Sequence, residues 1–168
     1  MAYINNMEIA NAHIIFRNFA GKKSGYNAEG NRNFNVIFTN PDEAYAYISE
    51  GWNLKLMDKR DPDEPDRWKM KVNVSYEHNP PTVQIIQDGR RITLDEQTVG
   101  CCDNLDFEVV SLYITPYKYV KMNGDSGVSA YLKSMVAKVR EDPILAMYKD
   151  IPVAGQVEMP DLEPEIPY

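Results

Sequence analysis

Hydrophobic and polar positions alternate along this chain in short blocks separated by turn residues, and the period is two far more often than three or four. Residues 68–76 (WKMKVNVSY) are the clearest case. Trp68, Met70, Val72, Val74 and Tyr76 fall on one side of an extended strand, and Lys69, Lys71, Asn73 and Ser75 on the other, so one face is apolar and the opposite one polar and basic. Residues 10–19 (ANAHIIFRNF), 32–38 (RNFNVIF), 52–57, 105–115 and 129–139 are also predicted strands. Residues 82–87 and 90–94 flank Asp88-Gly89, a favoured hairpin turn. One helix is signalled strongly. Asn40 suits the N-cap, Pro41 the first helical position, Asp42 and Glu43 the first turn, and Gly51 the close. Ala44, Tyr47 and Ile48 share a face of it, so it should cap a sheet. Residues 95–101 suit a helical turn and 142–149 a short helix.

About seven or eight strands with one or two short helices, and no strand–helix alternation, exclude a parallel α/β fold. The expectation is a mainly β, OB-fold-like small barrel, with a distorted sandwich as the other solution. Residues 1–150 form the expected domain, and 151–168 an acidic, Pro-rich, disordered tail. The last fourteen residues hold four carboxylates, three prolines and no basic group, and end Glu165-Ile166-Pro167-Tyr168. Proline bars this stretch from a helix or a central strand, and its apolar tip makes sense if another protein binds it.

The formal charge is −7, with −4 on the tail and −3 on residues 1–154. Bulk charge therefore speaks against a polyanion ligand, but the cations cluster in 17–32, 55–71, 89–91 and 117–140, and a local basic stripe is what a polyanion meets. The adjacent Cys101-Cys102 supply no disulfide framework, and with only His13 and His78 no zinc spacing exists. Residues 61–66 (DPDEPD) lack the ligand spacing and glycine of a calcium loop. Motifs for an acyl, phosphoryl, hydride or metalloprotease enzyme are absent, so no catalysis and no cofactor are expected. The polar opening, Met1 to Glu8, does not suit a signal peptide, and no apolar run is of membrane-spanning length. The expected location is the cytoplasm.

Basic and aromatic residues interleave three times. The first cluster runs from Phe16 and Arg17 through Lys22 and Tyr26 to Arg32 and Phe34. The second is Trp52 to Lys55. The third is Tyr117, Tyr119 and Lys121, leading to Tyr131 and Lys133. Cations that track phosphates and rings that stack on bases are the two elements of single-strand recognition. We expect Arg17, Lys22, Arg32, Lys55, Lys121 and Lys133 to supply charge. Tyr26, Trp52, Tyr117 and Tyr119 are expected to supply stacking, with Phe34 in addition. Phe16, Phe34 and Trp52 also have apolar neighbours that suit core positions.

The segments IIFRNFAG, YNAEGNRNFNVIF, EGWNLKLM, LDEQTVGCCD, ITPYKY and GVSAYLKSMVAKV, in this order, resemble phage-encoded single-stranded DNA-binding proteins of the oligonucleotide-binding-fold type. The resemblance implies a non-enzymatic protein that coats single strands during phage replication or recombination in the bacterial host. The ending also looks like the tails that such proteins offer to replication partners; from its acidity and apolar tip, Asp161, Glu163, Glu165, Ile166 and Tyr168 are expected to recruit replication or recombination proteins and to compete with DNA. The terminal Tyr stands where such tails more often carry Phe. A homodimer is left open. Two other classes fit the strand content and the acidity: a β-rich phage structural or assembly protein, and an acidic DNA-mimicking inhibitor of a host enzyme.

Overall fold

The chain begins with a short strand that its local sequence does not announce. In the computed structural model, which describes residues 4–77, 79–152 and 154, Met7–Ile9 forms β1. The elements that follow are β2 (His13–Asn18), β3 (Arg32–Phe38), α1 (Pro41–Glu50), β4 (Lys55–Leu56), β5 (Trp68–Val74), β6 (Thr82–Gln87) and β7 (Arg90–Leu94). After them come a 3₁₀ turn (Val99–Asp103), β8 (Phe107–Val120), β9 (Ser126–Val139) and α2 (Pro143–Met147). His78 and the tail residues Asp161, Glu163, Glu165, Ile166 and Tyr168 lie outside the described residues.

All strands belong to one sheet in the order β1-β8-β9-β5-β3-β2, with β4 beside β5 and the β6–β7 hairpin beside β9. The fold is mainly β and OB-like. Among the described residues no ladder joins β1 to β2, so the expected barrel stays open. β9 is the hub. It pairs antiparallel with β8 and parallel with both β5 (Val72↔Ala130, Asn73↔Tyr131) and β6 (Thr82↔Ser134 onward).

The alternation read in the sequence sets the core. Trp68, Met70, Val72 and Val74 from β5 meet Phe34, Val36 and Phe38 from β3, with Ile114, Leu132 and Met135 from the β8–β9 hairpin. Helix α1 is bounded as its residues dictate. Asn40 Oδ1 accepts from the Asp42 and Glu43 amides, and Gly51, at φ +112°, donates back to Ile48 and Tyr47 carbonyls. Ala44 is fully buried and Tyr47 lies against Phe38, with centroids 5.5 Å apart. The predicted strand 105–115 runs on through Tyr117 and Tyr119 as the single strand β8. Pro116 is tolerated because β1 pairs with β8 only at Leu112–Ile114, so the missing N–H falls on an edge without a ladder. Three shifts break the regular register: between Ile15 and Asn18 on β2, between Phe107 and Val109 on β8, and beside Lys133 on β9.

Candidate nucleic-acid interface

The face of the sheet turned away from the core is where the polar half of each alternation collects. On β5 it presents Lys69, Lys71 and Asn73; on β3, Asn33 and Asn35; on β9, Ser129 and Tyr131; and on β8, Thr115, Tyr117 and Tyr119. Register aligns them into a row across four strands: Asn33 opposite Asn73, Asn73 opposite Tyr131, and Tyr131 opposite Thr115. Asn73 Nδ2 donates to the Ala130 carbonyl at 3.2 Å, which fixes its amide against β9.

Two adjoining hollows of about 310 and 550 Å³ open on this row and share Lys71, Asn73 and Tyr131. Trp52, Met70, Ala130 and Tyr119 line the first, and Arg32, Ser75, Tyr76 and Glu96 the second. Tyr117 is well exposed and meets Tyr131 edge to face, with centroids 6.0 Å apart. The Tyr119 ring lies across Gly127, over the volume a Cβ would fill, so only glycine lets it settle there. Lys55 of β4 sits directly opposite Lys69 of β5. Like charges so placed are unfavourable by themselves, and an anion between them removes the penalty.

The expected site residues divide into three groups. Tyr117, Tyr119 and Lys55 stand on this face, and Lys121 follows at the hairpin end of β8. Lys133 is exposed at the β9 bulge, its ammonium 5.6 Å from the Tyr113 ring centroid. Lys22 and Tyr26 lie exposed on the 21–31 loop. That loop is built around Asn27, whose Nδ2 donates to the carbonyls of Lys22, Ala28 and Asn31.

The third group serves the fold. Phe34 and Trp52, expected as stacking platforms, are 0% and 3% exposed. Phe34 stacks on Phe19 at 5.1 Å and so offers no ring face to a ligand. The Arg17 guanidinium donates to the carbonyls of Cys102 (2.9 Å) and Leu105 (2.6 Å) and covers Phe107. Arg32 donates to Phe19 and Glu96 carbonyls, pairs with the Glu96 carboxylate at 3.6 Å, and lies over the Tyr76 ring. It borders the second hollow with its charge already shared. The Tyr76 hydroxyl is buried without a partner. Its burial raises the phenol pKa, and Arg32 pulls it the other way.

Lys69, Lys71 and Asn73 are the residues that the clusters did not nominate, and Tyr131 stood only at the end of the third cluster. Their signal was the polar half of WKMKVNVSY. Joining it to Tyr131 needed the β5–β9 pairing, between strands some 57 positions apart. Among the described residues no group of three or more His, Cys, Asp or Glu side chains could hold a metal ion, and no helix is long and apolar enough to cross a membrane.

Fold and face together define an open β-sheet surface, basic and aromatic, suited to an extended polyanion. The chain belongs to a phage family: the model described as "Putative phage ssDNA-binding domain" matches residues 1–166. Among solved structures it is similar to the single-stranded DNA-binding protein of bacteriophage Enc34 in a C-terminally truncated form. There the TM-score is 0.54 at 13% identity, over 82% of this chain and 87% of that one. The Enc34 protein in complex with ssDNA matches with TM-score 0.49 at 14% identity, covering 82% and 88%. gp2.5, the single-stranded DNA-binding protein of bacteriophage T7, matches with TM-score 0.40 at 11% identity, covering 98% and 97%. A search among curated proteins returns no match.

Proposed function

We propose that this chain binds single-stranded DNA without sequence preference across the outer face of β8, β9, β5 and β3. Bases stack on Tyr117, Tyr119 and Tyr131, while Lys55, Lys69, Lys71 and Lys121 track the phosphates. The observation that carries the reading is the shared row Lys71–Asn73–Tyr131, where two hollows meet on an open sheet and cations and rings alternate. Cations, amides and rings side by side on an open sheet suit the binding of an extended strand. Membership of the phage family supports DNA as the ligand. Lys22 and Tyr26 extend the same surface along the 21–31 loop, and Lys133 along the hairpin.

In this reading residues 1–150 are the binding domain. Residues 151–168 are a tail that competes with DNA for the basic face and, once displaced, recruits replication or recombination proteins through Asp161, Glu163, Glu165, Ile166 and Tyr168. The protein then acts as a strand-coating factor in the cytoplasm of the phage's bacterial host. Titration of labelled oligo-dT at low and moderate salt tests the first part. Saturable binding that weakens steeply with salt is expected, and salt-independent or absent binding would sink it. Deleting residues 155–168 tests the second. Low-salt affinity should rise, and an unchanged value would remove the competition.

A further inference from the structure

Alternation along β2 sends Phe16 toward the core, on the side of Ile14, which pairs with buried Val36. The structure turns it out. Ile15 pairs with Asn35 and Asn18 with Asn33, so Phe16 and Arg17 together face the single residue Phe34. Phe16 adopts φ +52°, a left-handed conformation that a residue with a large side chain rarely takes, and its side chain is 63% exposed. Phe19 fills the core position, stacked on Phe34. The ring of Phe16 instead reaches the outer face of the sheet, 5.9 Å from the Lys69 ammonium.

Such a conformer persists only where its surroundings over-determine it. Here the end of the 3₁₀ turn and the residues just after it do so from the C-terminal side of Phe16. Arg17 is tied to the Cys102 and Leu105 carbonyls. The Asp103 carboxylate accepts from the amides of Phe19 (2.6 Å) and Ala20 (3.1 Å). A strained, clamped, water-exposed aromatic on a face already lined with cations has no folding role that a polar residue would not fill better.

We infer that Phe16 is a base-stacking platform at the β2 end of the face, the counterpart of Tyr117 at the β8 end, and that Asp103 is its positioning residue. The inference rests on the single-strand reading above. From β2 to β8 the path crosses β3, β5 and β9, about 19 Å at the usual strand spacing. That is at most about six nucleotides at the stacked rise of about 3.4 Å. A single bound strand can therefore engage both ends, and a dinucleotide cannot.

Three single variants and one double variant of the full chain test this with dT8 as the probe. In Phe16→Gly the left-handed backbone becomes relaxed, so Tm should hold or rise while dT8 affinity falls by between about fivefold and a hundredfold. A structural role would move both quantities down together. Phe16→Trp places an indole in water, whereas Trp52 and Trp68 are buried at 3% and 4% exposure. Its emission should be quenched by dT8 with wild-type affinity kept. Asp103→Asn should weaken dT8 binding, and combining it with Phe16→Gly should add almost no further loss, because the ring that Asp103 positions is already gone. If wild type binds dT8 and Phe16→Gly binds it within twofold, or the new indole is not quenched, the Phe16 assignment is overturned and the single-strand reading stands. If wild type binds no oligo-dT, both fall.

Discussion

Charge on the outer face should set the salt dependence of binding, and its share can be worked out from the residues in place. Lys55, Lys69, Lys71 and Lys121 border the surface on which the strand is proposed to lie. Each phosphate neutralised on a single strand contributes about −0.7 to the slope of log K against log salt, so four contacts give about −2.8. A rise from about 50 to about 200 mM salt should then weaken wild-type binding about 50-fold. Replacing Lys69 and Lys71 by Gln keeps much of each side chain's reach and removes two charges. The slope should drop to about −1.4, and the same salt step should cost only about sevenfold. Fluorescence anisotropy of labelled oligo-dT at four or five salt concentrations reads both slopes. Lys59→Gln is the control, since Lys59 pairs with Asp66 in the 58–66 loop, and its slope should match wild type. Equal slopes for the double variant and wild type would refute the placement of the strand over β5. So would a loss of equal size in the control. Because Lys55 and Lys69 repel across β4–β5, the double variant should also be no less stable than wild type.

Gly127→Ala forces its new methyl into the Tyr119 ring. Urea unfolding should show a loss of about 1–3 kcal/mol together with weaker oligo-dT binding, and no change in either would deny the contact. Burial pushes the Cys102 thiol from 9.0 up to about 12, whereas Cys101 is exposed. One thiol should therefore react with an alkylating reagent near pH 8 in the native state and two after unfolding. The neutral thiol's contribution to stability is complete below pH 9 and is lost as pH rises from there toward 12. Tm plotted against pH should fall less over that window in Cys102→Ala than in wild type, and parallel curves would contradict the burial.

What the sequence made legible was whatever nearest neighbours control. Asn40, Pro41 and Gly51 bound α1 through contacts within a few residues. Asp88 and Gly89, both at positive φ, turn the β6–β7 hairpin, and the alternation of β5 places Lys69 and Lys71 outward unaided. Distant partners account for the rest. β1 is held by three pairs with β8, about a hundred residues away, and three residues of polar context could not announce it. Arg17 and Arg32 look like ligand-facing cations until their carbonyl partners arrive, one of them 85 positions along. Phe19 fills the core position in place of Phe16 because of one inserted residue, and the Asp103 carboxylate that holds the Phe19 amide lies in another element. Aromatic residues in a β pattern serve core and ligand alike, and only register separates Phe34 from Tyr131.

The parallel seam between β5 and β9 also has a temporal meaning. A contact between residues 72–73 and 130–131 must wait for a long intervening chain to close upon itself, and such non-local closures form late and slowly. On a ribosome, β3 and β5 can pair as soon as they emerge, but Tyr131 and Tyr117 have no seat beside them until residue 139 is outside the tunnel. The nascent chain therefore carries its lysines without a groove for most of its synthesis. On the proposed reading, its grip on a single strand arrives late, with the strand that completes the sheet.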